Sequence, residues 1–323
     1  MLVSIVIPCY NSEHTIGKVV DLTIEEFKKY DGYECEMILV NDYSRDNTFE
    51  VIKQCAEKYD NVTGINLAKN FGQHAAIMAG LHFIHGDLVI GMDDDMQNHP
   101  SQIKQFLDKE LEGADVIFGV FKERHFSTTK NITGSISRKL LWKLVDRPAD
   151  IQMSSFWLAK RYVVDKALEY SIDGAFIQLL FFRTTNNIVN IEIDHFDREV
   201  GESNYTFRKG LKLFLSFINY STVPLRLATY LGVVFALIGV IAAIVVLIMK
   251  LTNPAMQAGW PSLMCAMLFL FGIVFLILGI LGEYVGKVLF AINRTPQFVV
   301  RDVVRKKSGS AEAEDPEISE IHL

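Results

Sequence analysis

Cysteine is scarce and scattered in this chain of 323 residues: Cys9, Cys35, Cys55 and Cys265, with no CxxC pair and no His/Cys spacing of a zinc site. That excludes a disulfide framework and leaves the thiols as core filler in a reducing compartment. No GxGxxG and no GxxxxGK[ST] occurs, so neither a dinucleotide fingerprint nor a P-loop is available. The opening "MLVSIVIPCYNS" has no basic leader, and its apolar stretch is short enough to be a strand, so no signal peptide is expected. Positive charge is also short at first: residues 1–200 hold 21 Lys+Arg against 30 Asp+Glu. So acidic a region excludes a nucleic-acid partner.

Apolar residues are in excess instead, at 50%. The surplus sits in "LGVVFALIGVIAAIVVLIM" (231–249) and "LMCAMLFLFGIVFLILGIL" (263–281), each 19 uncharged residues. That length crosses a bilayer core as a helix. Arg208, Lys209, Lys212 and Arg226 precede the first run, Lys287, Arg294, Arg301, Arg305, Lys306 and Lys307 follow the second, and the loop between holds only Lys250. By the positive-inside tendency we expect two spans with both ends, and the large N-terminal region, in the cytoplasm.

In the first half, short apolar runs alternate with helical patterns. "VSIVIP", "EMILVND", "VTGINL", "DLVIGM" and "DVIFGV" read as strands buried on both faces. Helices fit at 12–30, 47–59, 72–85 and 100–112, with Ser12 and Asn47 as candidate caps. The alternation predicts a doubly wound α/β sheet, whose ligands bind outside the carboxyl ends of the strands.

Three polar clusters, "CYNSE", "NDYSRDNT" and "DDDMQN", directly follow strands and so converge on that edge. The triplet Asp93, Asp94 and Asp95 reads alone as a solvated turn. Placed beside the other two clusters it reads as a site for Mg²⁺ or Mn²⁺, since hard cations take oxygen from one or two side chains and the remainder from phosphate and water.

After Val120 the chain turns basic, with Lys122, Arg124, Lys130, Arg138, Lys139, Lys143 and Arg147 against Glu123 and Asp146. Ile132, Ile136, Leu140 and Leu144 recur at helical spacing, which predicts an amphipathic helix. A second, "FRKGLKLFLSFI" (207–218), precedes the first apolar run and suits the headgroup layer. The tail "SGSAEAEDPEISEIHL" (308–323) is acidic and lacks aromatics, a composition of disorder.

"SIVIPCYNSE", "ILVNDYSRDNT", "LAKNFGQHAAIMAGL", "GDLVIGMDDDMQNHP" and "DREVGESNY", in that order and followed by two apolar runs, resemble the inverting family 2 glycosyltransferases of GT-A fold. Within these the chain is most similar to the membrane-anchored polyprenyl-phosphate glycosyltransferases, of which dolichol-phosphate mannose synthase is one. The resemblance covers residues 3–300. It implies a GT-A (Rossmann-like doubly wound) domain at 1–205, an amphipathic interfacial segment at 206–226, a two-helix transmembrane hairpin at 227–290, and a cytoplasmic tail at 291–323.

By the same resemblance, Pro8, Tyr10, Asn11, Glu13 and Asp42 hold the donor nucleotide. Asp93 and Asp95 match the two acids of the DxD, Gln97 its accompanying amide, and Asp95 and Gln97 ligate the metal. His74 lies in a segment like the family's helix beneath the nucleotide. Arg198, Ser203 and Tyr205 match a loop over the phosphates; Asn204 stands where the family usually has Lys, and Arg124 and Arg138 are candidate substitutes as phosphate clamps. The implied reaction is inverting transfer from a nucleotide sugar, a UDP-sugar by expectation, to a polyprenyl phosphate. Homo-oligomerisation is left open.

One position departs from the family. In "MSSFWLAKR", Ser155 stands where many relatives carry a candidate catalytic aspartate, and Trp157 where arginine is common. A phosphate monoester with a second pKa of about 6 is already largely dianionic in the cytoplasm and needs no base. Two alternatives stay open: a glycosyltransferase with a non-lipid glycan acceptor, and an inactive membrane-tethered nucleotide-sugar binder. A processive polysaccharide synthase would add a QxxRW segment, which is absent.

Overall fold

A computed structural model describes residues 1–121, 151–170, 176–194, 196, 259–292 and 296–306, with isolated positions between 230 and 252. The predicted amphipathic helices at 132–144 and 207–218 and the tail at 308–323 lie outside the described residues, as does most of the first apolar run. The chain divides into two units, one of residues 1–142, 146–204 and 294–323, the other of 143–145 and 205–293.

The first unit is built on a sheet of eight strands: β1 (Leu2–Cys9), β2 (Glu34–Asn41), β3 (Val62–Leu67), β4 (Leu88–Gly91), β5 (Val116–Phe121), β6 (Trp157–Lys160), β7 (Ile188–Ile193) and β8 (Val300–Val304). Their order is β7-β5-β6-β4-β1-β2-β3-β8. All five strands expected from the apolar runs form. The sheet is mixed rather than purely parallel, because β6 runs antiparallel to β4 and β5, and β8 antiparallel to β3.

Alternation along the strands sorts side chains to two faces. On β1, Val3, Ile5, Ile7 and Cys9 join one cluster with α1 (Ile16–Phe27), α2 (Thr48–Lys58) and α4 (Ile103–Leu111). Val6 points the other way, to α3 (Gln73–Leu81), α5 (Arg161–Leu168) and α6 (Ile177–Thr184). Helices on both faces explain why the central strands are apolar throughout. Helix α1 shows the matching stripe, burying Ile16, Val19, Val20, Thr23 and Phe27. Ser12 does not cap it by its side chain: Thr15 is the cap residue, and the Ser12 carbonyl accepts the Thr15 and Ile16 amides. Asn47 occupies the cap position of α2 but makes no capping side-chain bond; Asp46 accepts the Thr48 amide there.

One close approach fixes the middle of the sheet. A Cβ on Gly91 would lie 2.3 Å from the Trp157 ring across the β4–β6 pair, so only glycine leaves room for the buried indole.

The second unit contains α7 (Trp260–Ile292), one continuous helix of 33 residues that includes the whole uncharged run 263–281. At about 1.5 Å per residue that run is about 28 Å long. Among the described residues, no helix is long and apolar enough to cross a membrane.

Candidate active site

Strand β1 is the point where the sheet changes direction: β2 and β3 build outward on one side, and β4 returns on the other. Crevices that take ligands open at such a point. Here β1 pairs with β4 only through Val6↔Gly91 but with β2 through Cys9↔Asn41, so the β1 and β4 chains part at their carboxyl ends. Pro8, which has no N–H to donate, lies in the stretch of β1 beyond β4 and is buried there.

Among the described residues, three that are not glycine have left-handed backbones, and they follow three of these strand ends: Asn11 (φ 55°) after β1, Tyr43 (φ 55°) after β2 and Met96 (φ 65°) after β4. For Tyr and Met such a conformation costs about 1–2 kcal/mol. At Met96 it sends an apolar side chain, 4% exposed, into the core while Asp95 and Gln97 on either side stay partly exposed.

The first two loops are stitched together. Asn11 Oδ1 accepts the Arg45 amide at 3.0 Å, and the Asn11 amide donates to Ser44 Oγ at 3.0 Å. Glu13 Oε2 accepts the Asn47 amide at 2.9 Å. Tyr10 and Tyr43 remain 48% and 47% exposed on these neighbouring loops. Asp42 is buried, and its two oxygens accept the Phe71 and Gly72 amides at 2.7 and 2.8 Å, shaping the turn into α3. Gly72 (φ 94°) supplies the backbone freedom that turn requires. Burial raises the Asp42 carboxyl above its usual range, and the two amides only partly offset this.

The three aspartates turn to different partners. Asp94 Oδ2 accepts the Tyr10 amide at 3.2 Å, bridging the β1 and β4 ends. Its pKa is pushed up to about 6, first by burial and further by the charges of Asp93 and Asp95. Asp95 Oδ1 accepts the Gln97 amide at 3.1 Å. Asp93 receives the Gln73 amide nitrogen at 2.8 Å on Oδ1, and on Oδ2 the Asn98 amide nitrogen at 3.0 Å and the Ser155 hydroxyl. Gln73 opens α3, Asn98 follows the acid turn and Ser155 precedes β6. Gln73 and Asn98 were missed in the sequence, although Asn98 sits within the "DDDMQN" cluster itself.

His74 lies beside Gln73 in the first turn of α3. Its ring centroid is 3.5 Å from that of Phe176, and Nδ1 has no hydrogen-bond partner among the described residues. Burial pushes its pKa down to about 4, so the imidazole is neutral near pH 7. Arg124, Arg138, Arg198, Ser203 and Tyr205 lie outside the described residues.

Among the described residues no group of three or more His, Cys, Asp or Glu side chains is arranged to hold an ion. With Asp94 turned to Tyr10, the acid turn offers two carboxylates, Asp93 and Asp95, next to the Gln97 amide. That donor set fits an oxygen-seeking cation completed by phosphate better than an all-protein cage.

Residues 4–168 match glycosyl transferase family 2, and residues 223–288 match the GtrB C-terminal hairpin. The undecaprenyl-phosphate 4-deoxy-4-formamido-L-arabinose transferase of Proteus mirabilis is 32% identical over 317 residues, covering 97% of each chain. The enzyme of the same name from Photorhabdus laumondii is 31% identical over 306 residues, 94% of each. The chain belongs to glycosyl transferase family 2. It is a glycosyltransferase with a C-terminal hairpin region, as the resemblance implied. Among solved structures, mannosyl-3-phosphoglycerate synthase from Rubrobacter xylanophilus matches 70% of this chain and 74% of its own at TM-score 0.51 and 16% identity. Glucosyl-3-phosphoglycerate synthase from Mycobacterium tuberculosis, crystallised with Mn²⁺, UDP and phosphoglyceric acid, matches 67% and 75% at TM-score 0.50 and 19% identity. Both likenesses concern the α/β fold alone.

Proposed function

We propose that this glycosyltransferase moves a sugar from a nucleoside diphosphate sugar, a UDP-sugar in our reading, to a polyprenyl phosphate at the cytoplasmic face of a membrane, with inversion at the anomeric carbon. The observation that carries this reading is the near full-length similarity to two undecaprenyl-phosphate sugar transferases, hairpin region included. A non-lipid acceptor would leave that hairpin without a task.

The polar loops after β1 and β2 receive the nucleotide, with exposed Tyr10 beside the stitched Asn11 and Glu13. A divalent cation, Mg²⁺ or Mn²⁺, would be held by Asp93, Asp95 and Gln97 and would neutralise charge on the diphosphate. Arg198, Ser203 and Tyr205, with Arg124 and Arg138, are assigned to the phosphates of donor and acceptor. The acceptor oxygen attacks the anomeric carbon opposite the nucleotide, and the bond from that carbon to the diphosphate oxygen breaks as the new one forms, releasing the nucleoside diphosphate; as a phosphate dianion the acceptor surrenders no proton to a side chain. The runs 231–249 and 263–281 form the membrane hairpin, which holds the site where a long isoprenoid phosphate is found.

Incubation of the full-length protein in undecaprenyl-phosphate liposomes with a panel of nucleotide sugars tests this. The expected product is a lipid whose mass equals the polyprenyl phosphate plus one sugar. Transfer to a soluble glycan, with the lipid unchanged, would sink the proposal and favour the alternative acceptor.

A further inference from the structure

Asp93 is gripped from three separate elements by groups that carry no charge: the Gln73 amide from α3, the Asn98 amide from the acid turn, and the Ser155 hydroxyl from the chain entering β6. Asn98 is itself 1% exposed, and its Nδ2 also lies 3.5 Å from Ser155 Oγ, so hydroxyl and amide converge on the same carboxylate oxygen. The position of Ser155 is in turn fixed by its neighbours. Phe156 and Trp157 directly after it are fully buried, and Trp157 fills the space that Gly91 leaves on β4, two residues before Asp93. The serine and the acid are thus held to each other by the packing of two adjacent strands.

Neutral donors have a particular effect on a carboxylate. They restrict its rotamer and occupy some of its lone pairs without themselves cancelling its negative charge, as a lysine or arginine in the same place would. A ligand held in place before the ion arrives loses less side-chain entropy on binding.

We infer that Ser155 is a positioning residue: it acts through Asp93 to preorganise that carboxylate for a divalent cation carrying the donor diphosphate, and it makes no contact with the acceptor phosphate. The inference rests on the proposed function for the presence of the cation and concerns only how this chain prepares for it.

The test measures Mn²⁺ binding directly, by the electron paramagnetic resonance signal of free Mn²⁺ titrated into the full-length protein with UDP. Ser155→Ala is expected to weaken Mn²⁺ about tenfold, one charge-assisted hydrogen bond's worth. Ser155→Thr, which keeps the hydroxyl, should restore binding to within about twofold. Gln73→Ala, a change at an exposed position on another element, should weaken it in the same direction. In steady-state assays the Mn²⁺ requirement of Ser155→Ala should rise while its KM for polyprenyl phosphate stays put. Mn²⁺ binding that is lost in Asp95→Asn but unchanged in Ser155→Ala would overturn the positioning role alone, as would a raised acceptor KM at unchanged Mn²⁺ affinity. No Mn²⁺ binding by the wild-type protein would overturn the metal reading itself, and this inference with it.

Discussion

Asp302 accepts a hydrogen bond from Asn66 at 2.8 Å, although 236 residues separate them. Asn66 in turn accepts from Asn41 Nδ2 at 2.8 Å, and Asn41 Oδ1 accepts the Ser44 amide at 3.2 Å. A polar relay therefore runs across β2, β3 and β8 to the loop after β2. Asn41 and Asn66 are buried, so deleting one partner leaves a desolvated group unpaired. Asn66→Ala is expected to lower unfolding stability by about 1–3 kcal/mol. Asp302→Ala should cost less, because the aspartate is more exposed. Thermal unfolding of the full-length variants checks both, and equal or absent losses would contradict the relay.

The same strand bears on truncation. Cutting the chain after residue 205 removes β8 and bares the β3 edge, an invitation to aggregation. A fragment of residues 1–205 should be less soluble and melt lower than the full chain. Light scattering and thermal unfolding of the two, side by side, would show it; equal behaviour would make β8 dispensable.

Gly91→Ala places a methyl group 2.3–2.5 Å from Trp157 in a sheet where neither strand can retreat. Overpacking of this kind costs about 1–3 kcal/mol and occasionally more. The double variant Gly91→Ala with Trp157→Phe should recover part of the loss, since the smaller ring vacates the space. If the single variant unfolds like the wild type, the packing described for Trp157 is not the one that matters.

Asp95→Asn and Gln97→Ala are expected to reduce transfer at least a hundredfold while leaving unfolding temperature nearly unchanged, as both side chains are partly exposed and outside the core. Excess chelator should mimic them in the wild type. Full activity with metal shown to be absent would remove the cation from the mechanism.

The strands β1 to β5 were legible because burial on both faces imposes continuous apolar runs, and the convergence of three polar clusters followed from strand direction alone. Strand β8 was not: "VRDVV" sets two adjacent charges among three valines, with no period-2 alternation to read, and its partner β3 is remote in sequence. Strand β6 is four residues long and follows a stretch without periodicity, too short for a pattern to register. At the site, the acids could be placed at the end of β4, but what grips them could not. Ser155, Asn98 and Gln73 meet Asp93 through tertiary geometry, and no spacing between positions 73, 93, 98 and 155 announces it. Ser155 stood out only as a missing aspartate. The structure gives that serine a partner.

His74 makes stability depend on pH in a defined direction. An unfolded histidine titrates near 6.5, and burial lowers this one to about 4 in the folded protein. Between those values the unfolded state binds more protons than the folded state, so stability rises with pH across that window. The contribution is fully present above about pH 6.5 and is lost as pH falls through about 4. Its size is on the order of 1–3 kcal/mol, given 1.36 kcal/mol per pKa unit and the partial exposure of the residue. His74→Gln removes the titration, so the difference in unfolding stability between pH 7 and pH 5 should shrink in that variant. Because the imidazole is already neutral above about pH 5, His74→Gln should leave the shape of the pH–rate profile between pH 6 and 8 unchanged. Urea unfolding at both pH values and initial rates across that range test the two halves separately. An unaltered stability difference would mean that His74 is solvated in the folded protein, and a shifted rate profile would mean that it carries a proton during turnover.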